Sequence, residues 1–266
     1  MRLNIDHRTV FQYDAPPSYG LLQLRTTPQT SAAQRVISWA TAFEGGQEQV
    51  RFLDHHGNLV QLIEVLPDTT RISIDVKGEV ETLSEDGVYG HHRDAMPTWF
   101  YRRQSALTEP TQDIRAAGEA LIFSAENTIS DLHALSQLIR DRVAYVPGET
   151  DISTTAGEAW SAGTGVCQDH THIFLSIVRE KGLPARYVSG YLLMDDRADQ
   201  DASHAWAEVC IDGLGWVGFD VSNGISPDAR YVRIAQGADY MDAAPTTGLT
   251  LGAGQENLSV SIQVQQ

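Results

Sequence analysis

Thr164-Gly165-Val166-Cys167-Gln168-Asp169-His170 is a glycine-rich turn that gives way to an amphipathic stretch, with a cysteine at the join. Ile173, Phe174, Ile177 and Val178 continue it as one buried stripe. Gly182 offers a left-handed stop and Pro184 blocks continuation, so a helix is expected to begin at Cys167. A free thiol ionises near pH ~8.5 and is a weak nucleophile below that. At a helix start, unpaired backbone N–H groups and the helix dipole favour the thiolate. The same N–H groups can donate to an oxyanion during acyl transfer.

Downstream, His204 stands in Ser203-His204-Ala205-Trp206 and Asp220 in Gly218-Phe219-Asp220. Asp212-Gly213-Leu214-Gly215 is a strong turn signal between two strand-like runs. A turn centred near residue 212 places His204 opposite Asp220, with Cβ atoms ~4.5–5.5 Å apart. The aspartate then fixes the imidazole tautomer and leaves the other nitrogen for the thiol. A slip of one residue would put the two side chains on opposite faces. Alone, a cysteine, a histidine or an aspartate is more often structural. Together, in this order and context, Cys167, His204 and Asp220 are the candidate nucleophile, base and orienting acid. Trp206 shares the strand parity of His204, which suits a cleft wall and a core-packing role equally. Gln168 and Trp160 lie near the thiol in sequence and are the remaining candidates for substrate or oxyanion contacts. Cys210 sits in an alternating strand and reads as a core residue.

Outward from this block the chain reads as α+β. The first 82 residues alternate with period two, as in Leu3, Ile5, His7, Thr9 and Phe11. His56-Gly57-Asn58 marks a hairpin between runs around Val50 and Val60. Residues 83–110 are irregular but carry Trp99, Phe100 and Tyr101, so part of this join packs. Leu132, Leu135, Leu138, Ile139 and Val143 mark a helix, with Thr128 or Ser130 as its cap. Residues 186–193, 203–211 and 216–221 read as strands, 237–257 as loop, and Leu258, Val260, Ile262 and Val264 as a last strand. The expected division is an N-terminal antiparallel β-sandwich-like domain, 1–105, and an α+β core, 106–266.

The chain has 266 residues and a formal net charge of −16, which disfavours binding to nucleic acid or anionic lipid. No apolar segment follows Arg2, and no run approaches the ~18 apolar residues of a membrane span. A cytoplasmic protein with two free thiols, Cys167 and Cys210, is expected. Cys167, His170 and His172 form C-x2-H-x-H, but His172 falls opposite His170 on a helix and no second ligand pair follows. No metal and no cofactor are expected. The pairs His55-His56 and His91-His92 read as surface or loop residues. Asp195, Asp196, Asp199 and Asp201 read as a solvated acidic loop. Asp239-Tyr240-Met241-Asp242 is a weak candidate to close over the site.

Several ordered segments carry a family resemblance. They are Ala156-Gly157-Glu158-Ala159, Gly163 to Asp169, Leu183 to Tyr191, His204 to Val209, and Gly215 to Asp220. They resemble the bacterial branch of the transglutaminase-like superfamily, and the N-terminal β region is similar to the one that precedes its core. The resemblance implies a papain-like α+β core, with Cys167 as nucleophile, His204 as general base and acid, and Asp220 as its orienting partner. It implies acyl-enzyme chemistry on a peptide, protein or small amide substrate. Two departures stand out, Trp160 for a smaller aliphatic residue and Ser222-Asn223-Gly224 for the commoner Pro-Thr-Asn-Gly; neither is expected to touch the triad. Hydrolysis is the expected outcome, because no element for amine selection is visible. Transfer to an amine remains the alternative, and a non-catalytic binding module is the alternative of another class.

Overall fold

The period-two pattern at the N-terminus becomes β1 (Arg2–Tyr13), whose odd-numbered residues from Leu3 to Tyr13 are buried. Five strands follow: β2 (Tyr19–Thr27), β3 (Gln34–Glu44), β4 (Gly46–Leu53), β5 (Leu59–Val65) and β6 (Arg71–Thr82). The β4–β5 hairpin turns through Asp54–Asn58, with Asp54 N–H donating to the Asn58 carbonyl at 3.0 Å. The structure, a computed structural model, describes residues 1–83, 86–92, 95–121, 123, 127–194, 197–252 and 254–266. Asp195 and Asp196 of the acidic loop lie outside these described residues.

The core begins with β7 (Val88–Gly90), a 3-10 turn (Thr98–Arg102), α1 (Gln112–Glu119), α2 (Thr128–Arg142) and β8 (Ala144–Tyr145). It continues through α3 (Ala156–Ala162), β9 (Thr164–Gly165), α4 (Cys167–Glu180), β10 (Ala185–Leu192), β11 (Asp199–Gln200), β12 (His204–Ile211) and β13 (Gly215–Phe219). The last elements are β14 (Tyr231–Gly237), α5 (Tyr240–Ala243), β15 (Thr246–Leu251) and β16 (Glu256–Gln265). Helix α4 is buried along nearly its whole length, against β10 and β12. No helix among the described residues is long and apolar enough to cross a membrane.

Three antiparallel sheets organise the chain. One has the order β11-β16-β1-β6-β3, the second β15-β2-β5-β4, and the third, under α4, β14-β10-β12-β13-β7. The first two pack face to face through Phe11, Tyr13, Ile72 and Ile74 on one side and Leu22, Leu24 and Ile63 on the other. The sandwich is therefore completed by the C-terminus. β16 pairs with β1, Ile5 facing Val264, and β15 pairs with β2, Leu24 facing Thr246. A division at 105/106 leaves both strands on the wrong side of the boundary for their hydrogen bonds. The expected loop over 237–257 also contains α5 and β15. β15 escaped notice because Thr246, Gly248 and Leu249 show no burial alternation; its partner strand supplies the order.

The described residues of the join, 83, 86–92 and 95–110, are packed. β7 pairs with β13, and Tyr101 is fully buried, 2.9 Å from His56 Nδ1 and edge-on to Trp216. Helix α2 starts one residue earlier than expected, with Asn127 rather than Thr128 or Ser130 at the cap position. At the other border of the third sheet, β14 is an edge strand. Two sandwich amides cover it by imitating a neighbouring backbone. Gln34 donates to the Arg233 carbonyl at 2.8 Å and accepts the Arg233 N–H at 2.9 Å. Asn58 does the same to Gln236 at 2.7 and 2.9 Å.

Candidate active site

The turn before the thiol is built by steric necessity. Gly163 ends α3 in the left-handed region at φ 72°. A Cβ on Gly165 would lie 2.7 Å from the Asp169 Cβ, so only glycine admits that carboxylate beneath the turn. Asp169, fully buried, accepts the Val166 N–H at 2.8 Å and the Thr150 hydroxyl at 2.7 Å. Burial pushes its carboxyl upward, and these hydrogen bonds oppose the rise. Cys167 thus occupies the first turn of α4, 8% exposed.

His204 opens β12 and Asp220 follows β13. His204 Nε2 lies 2.6 Å from Asp220 Oδ2, both side chains buried. The register differs from the expected one: Ala207 faces Phe219 and Ile211 faces Gly215, a displacement of two residues. The turn spans Asp212 to Leu214 and centres on Gly213. A shift of two preserves side-chain parity, so the two side chains still meet, diagonally.

With Nε2 donating to Asp220, Nδ1 is left for the thiol. The Cys167 sulfur interacts with His204. Burial opposes a charge on His204, but the Asp220 carboxylate, its hydrogen bond and the Cys167 sulfur outweigh it and push the pKa up to about 10. Burial likewise opposes ionisation of Asp220. His204 and hydrogen bonds from Asn223 and Tyr231 overcome it and hold the carboxyl below its usual range.

Asp220 is held by a cage. Its Oδ2 accepts Asn223 Nδ2 at 2.7 Å and the Tyr231 hydroxyl at 2.7 Å, and its Oδ1 accepts the Asn223 backbone N–H at 3.1 Å. Ser222-Asn223-Gly224 therefore does touch the candidate triad, contrary to expectation. Ser222 bonds His170 Nδ1 at 2.9 Å, and His170 Nε2 donates to the Val143 carbonyl at 2.9 Å. His170 is a strut from α4 to the Asp220 turn. His172 is tied through one nitrogen: its Nε2 accepts the Tyr240 N–H at 3.2 Å, its buried Nδ1 has no partner among the described residues, and burial lowers its pKa to about 3. No group of three or more metal-ligating side chains occurs among the described residues.

The three further candidates are engaged elsewhere. Gln168 turns its amide onto the Asp151 carbonyl, 3.2 Å away. Trp160 is sunk in the core, with the Arg142 guanidinium 5.5 Å over its ring. Trp206 is fully buried behind His204, stacked at 6.4 Å, so it backs the imidazole and does not wall an open cleft. A Cβ on Gly190 would meet the Trp206 ring at 2.5 Å and the Val232 carbonyl at 2.2 Å, so glycine lets the indole lie there. Cys210 is only half-buried, and both cysteines are free thiols.

Tyr145 is the residue that sequence reading missed. The short parallel pair β8–β9 sets it beside Gly165, two residues before the thiol. Its hydroxyl hydrogen-bonds the Cys167 sulfur; burial first, and that contact second, raise its pKa. Its ring lies 6.0 Å from that of His170 and is 52% exposed, at the rim. Helix α3 was also overlooked, although Thr155 and Glu158 form the capping box that a Thr-x-x-Glu pattern announces. The Asp239–Asp242 segment is an ordered helical turn, Asp239 accepting the Met241 N–H at 2.9 Å.

Comparison with known proteins gives a consistent picture. The model of the transglutaminase-like superfamily core matches residues 115–221, and that of the bacterial transglutaminase-like N-terminal region matches 3–81. An uncharacterised protein of Mycobacterium leprae is 26% identical over 282 residues, covering 99% of this chain and 98% of that protein. One of Mycobacterium tuberculosis is 28% identical over 290 residues, covering 99% and 91%. Among solved structures, a proposed cysteine protease from Cytophaga hutchinsonii matches with a TM-score of 0.79 at 20% identity, over 100% of this chain and 90% of that one. That likeness is one of fold.

Proposed function

Because this chain belongs to the transglutaminase-like superfamily and carries the bacterial N-terminal region of that family, we propose that it is a cysteine-dependent acyl-transfer enzyme that hydrolyses amide bonds. The observation that supports this reading is the His204–Asp220 hydrogen bond of 2.6 Å, with the Cys167 sulfur in contact with the same imidazole. The buried aspartate keeps His204 protonated beside the sulfur, where the imidazolium can hand its proton to a leaving nitrogen.

In this reading the Cys167 sulfur attacks the carbonyl carbon, forming a C–S bond and a tetrahedral oxyanion. The oxyanion is met by the Cys167 backbone N–H at the helix start and by the Tyr145 hydroxyl. His204 passes its proton to the departing nitrogen, the C–N bond breaks, and a thioester remains. A water then gives one proton to His204 and attacks the thioester, the C–S bond breaks, the acid is released, and the sulfur and His204 return to their starting protonation. A peptide, protein or small amide serves as substrate. If an amine resolved the thioester, the same steps would give a transglutaminase.

The test is iodoacetamide labelling across pH, with the modified residue located by mass spectrometry. Rapid labelling at Cys167, slower by tenfold or more in His204→Ala, is expected from a typical acid–base contribution of ~10²–10⁴. Equal, slow labelling of Cys167 and Cys210, unaffected by the substitution, would overturn the reading in favour of a binding module. Incorporation of a labelled primary amine into the acyl product faster than formation of the free acid would assign transfer in place of hydrolysis.

A further inference from the structure

A cavity of about 340 Å³ lies between the sandwich and the candidate active site. It is at the small end of the ~300–1,000 Å³ typical of ligand pockets, sized for one or two side chains. Three elements of its wall belong to the site. Ser203 directly precedes His204. Tyr240 stands close enough to feel the Cys167 sulfur. Ile152 rides on the 149–154 loop, which Thr150 and Asp151 fasten to the first turn of α4 through Asp169 and Gln168.

The opposite wall comes from the sandwich. Phe11 and Leu258 face each other across β1 and β16, with Thr9 and Val260 next to them. Burial fades along this face: Ile262 is 0% exposed, Val260 is half-buried and Leu258 is 57% exposed. Ile152 and Met241 are exposed by 59% and 50% on the same cavity. Convergence of exposed apolar side chains from three elements on one hollow marks a surface made to be covered.

Among the polar groups that line it, the one imidazole is already committed. His7 already bonds Tyr191 at 2.8 Å and Thr9 at 3.0 Å. At the mouth stand the carboxylates of Asp201 and Glu256, in a chain of net charge −16, which repel an acidic group.

We infer that this cavity receives a bulky apolar side chain on the acyl side of the substrate, so that the sandwich takes part in substrate choice. The inference rests on the acyl-transfer reading of Cys167, since the acyl side is held in both hydrolysis and transfer.

The experiment uses the full chain and two series of N-acetyl-peptidyl chloromethyl ketones. One residue, Leu, Phe, Gly or Asp, is placed next to the ketone or one position further out. The thiolate displaces chloride, and a C–S bond forms at the methylene carbon. Each second-order rate at Cys167 is divided by that of iodoacetamide, which carries no side chain. In one of the two series, Leu and Phe are expected to exceed Gly by about tenfold or more, with Asp slowest. Leu258→Asp, on an exposed strand position, is expected to bring that ratio down towards that of Gly. Equal ratios for Leu, Phe and Gly in both series, with iodoacetamide still selective for Cys167, would overturn the pocket and leave the enzyme reading intact. Loss of iodoacetamide selectivity would remove both.

Discussion

His204 Nε2 and Asp220 Oδ2, 2.6 Å apart and shielded from water, form a charge pair that stabilises the fold between an acidic and an alkaline limit. The folded pKa of His204, about 10, lies above its ordinary value of 6.5. A group raised in this way stabilises the fold fully below its unfolded pKa and loses that contribution as pH rises through the folded one. The His204 ring resonance in NMR is therefore expected to stay unmoved between pH 6 and 8 and to titrate towards 10. In Asp220→Asn, where the carboxylate no longer opposes burial of the imidazole, it is expected to titrate well below 10, and the alkaline loss of thermal stability is expected to disappear.

Tyr145→Phe separates two kinds of reaction at one sulfur. Alkylation by iodoacetamide forms no oxyanion, whereas acylation by p-nitrophenyl acetate does. Removing one oxyanion donor typically costs ~10²–10³ in rate. The acylation rate of Tyr145→Phe is expected to fall by at least about tenfold more than its alkylation rate. An equal fall in both would reduce Tyr145 to a neighbour that merely positions the thiol.

Asn223→Ala removes the Nδ2 donor to Asp220 but keeps the backbone N–H that reaches Oδ1. A hydrogen bond to a buried charged group contributes about 1.5–3 kcal/mol. Urea unfolding at pH 7 is expected to show a loss within that range, and the acid limit of stability is expected to move up as Asp220 loses a donor that holds its carboxyl down. Asn223→Asp would add a second carboxylate beside Asp220 and is expected to be worse.

Gly190→Ala tests the support behind the imidazole. The new methyl would meet a backbone carbonyl at 2.2 Å and the Trp206 ring at 2.5 Å, and the carbonyl cannot rotate away. Overpacking of this kind costs ~1–3 kcal/mol. Trp206 stacks on His204, so reduced thiol labelling is expected to accompany the lower melting temperature.

Much of this was legible in the chain because its signals are local. Gly163, Gly165 and Cys167 announce a tight turn and a helix start within five residues. The Asp212–Leu214 turn brings His204 and Asp220 to one face even though its centre was misplaced, because the displacement of two residues preserved parity. What failed was non-local. Nothing in Thr246–Leu251 or Glu256–Gln265 says that their partners lie more than two hundred residues earlier. Tyr145 reaches the thiol through a two-residue parallel pair too short to leave a pattern. Gln168 and Trp160 are near the thiol only in sequence, and adjacency in a helix or a loop does not set direction.

The paired amides of Gln34 and Asn58 on β14 carry a consequence for how such a chain can be divided. A fragment starting after residue 105 would keep Cys167, His204 and Asp220 yet bare the β14 backbone groups of Arg233 and Gln236 that these amides occupy. The two halves thus meet at this edge: the first supplies two amides that occupy backbone groups of the second, side chains that no step of the proposed chemistry uses.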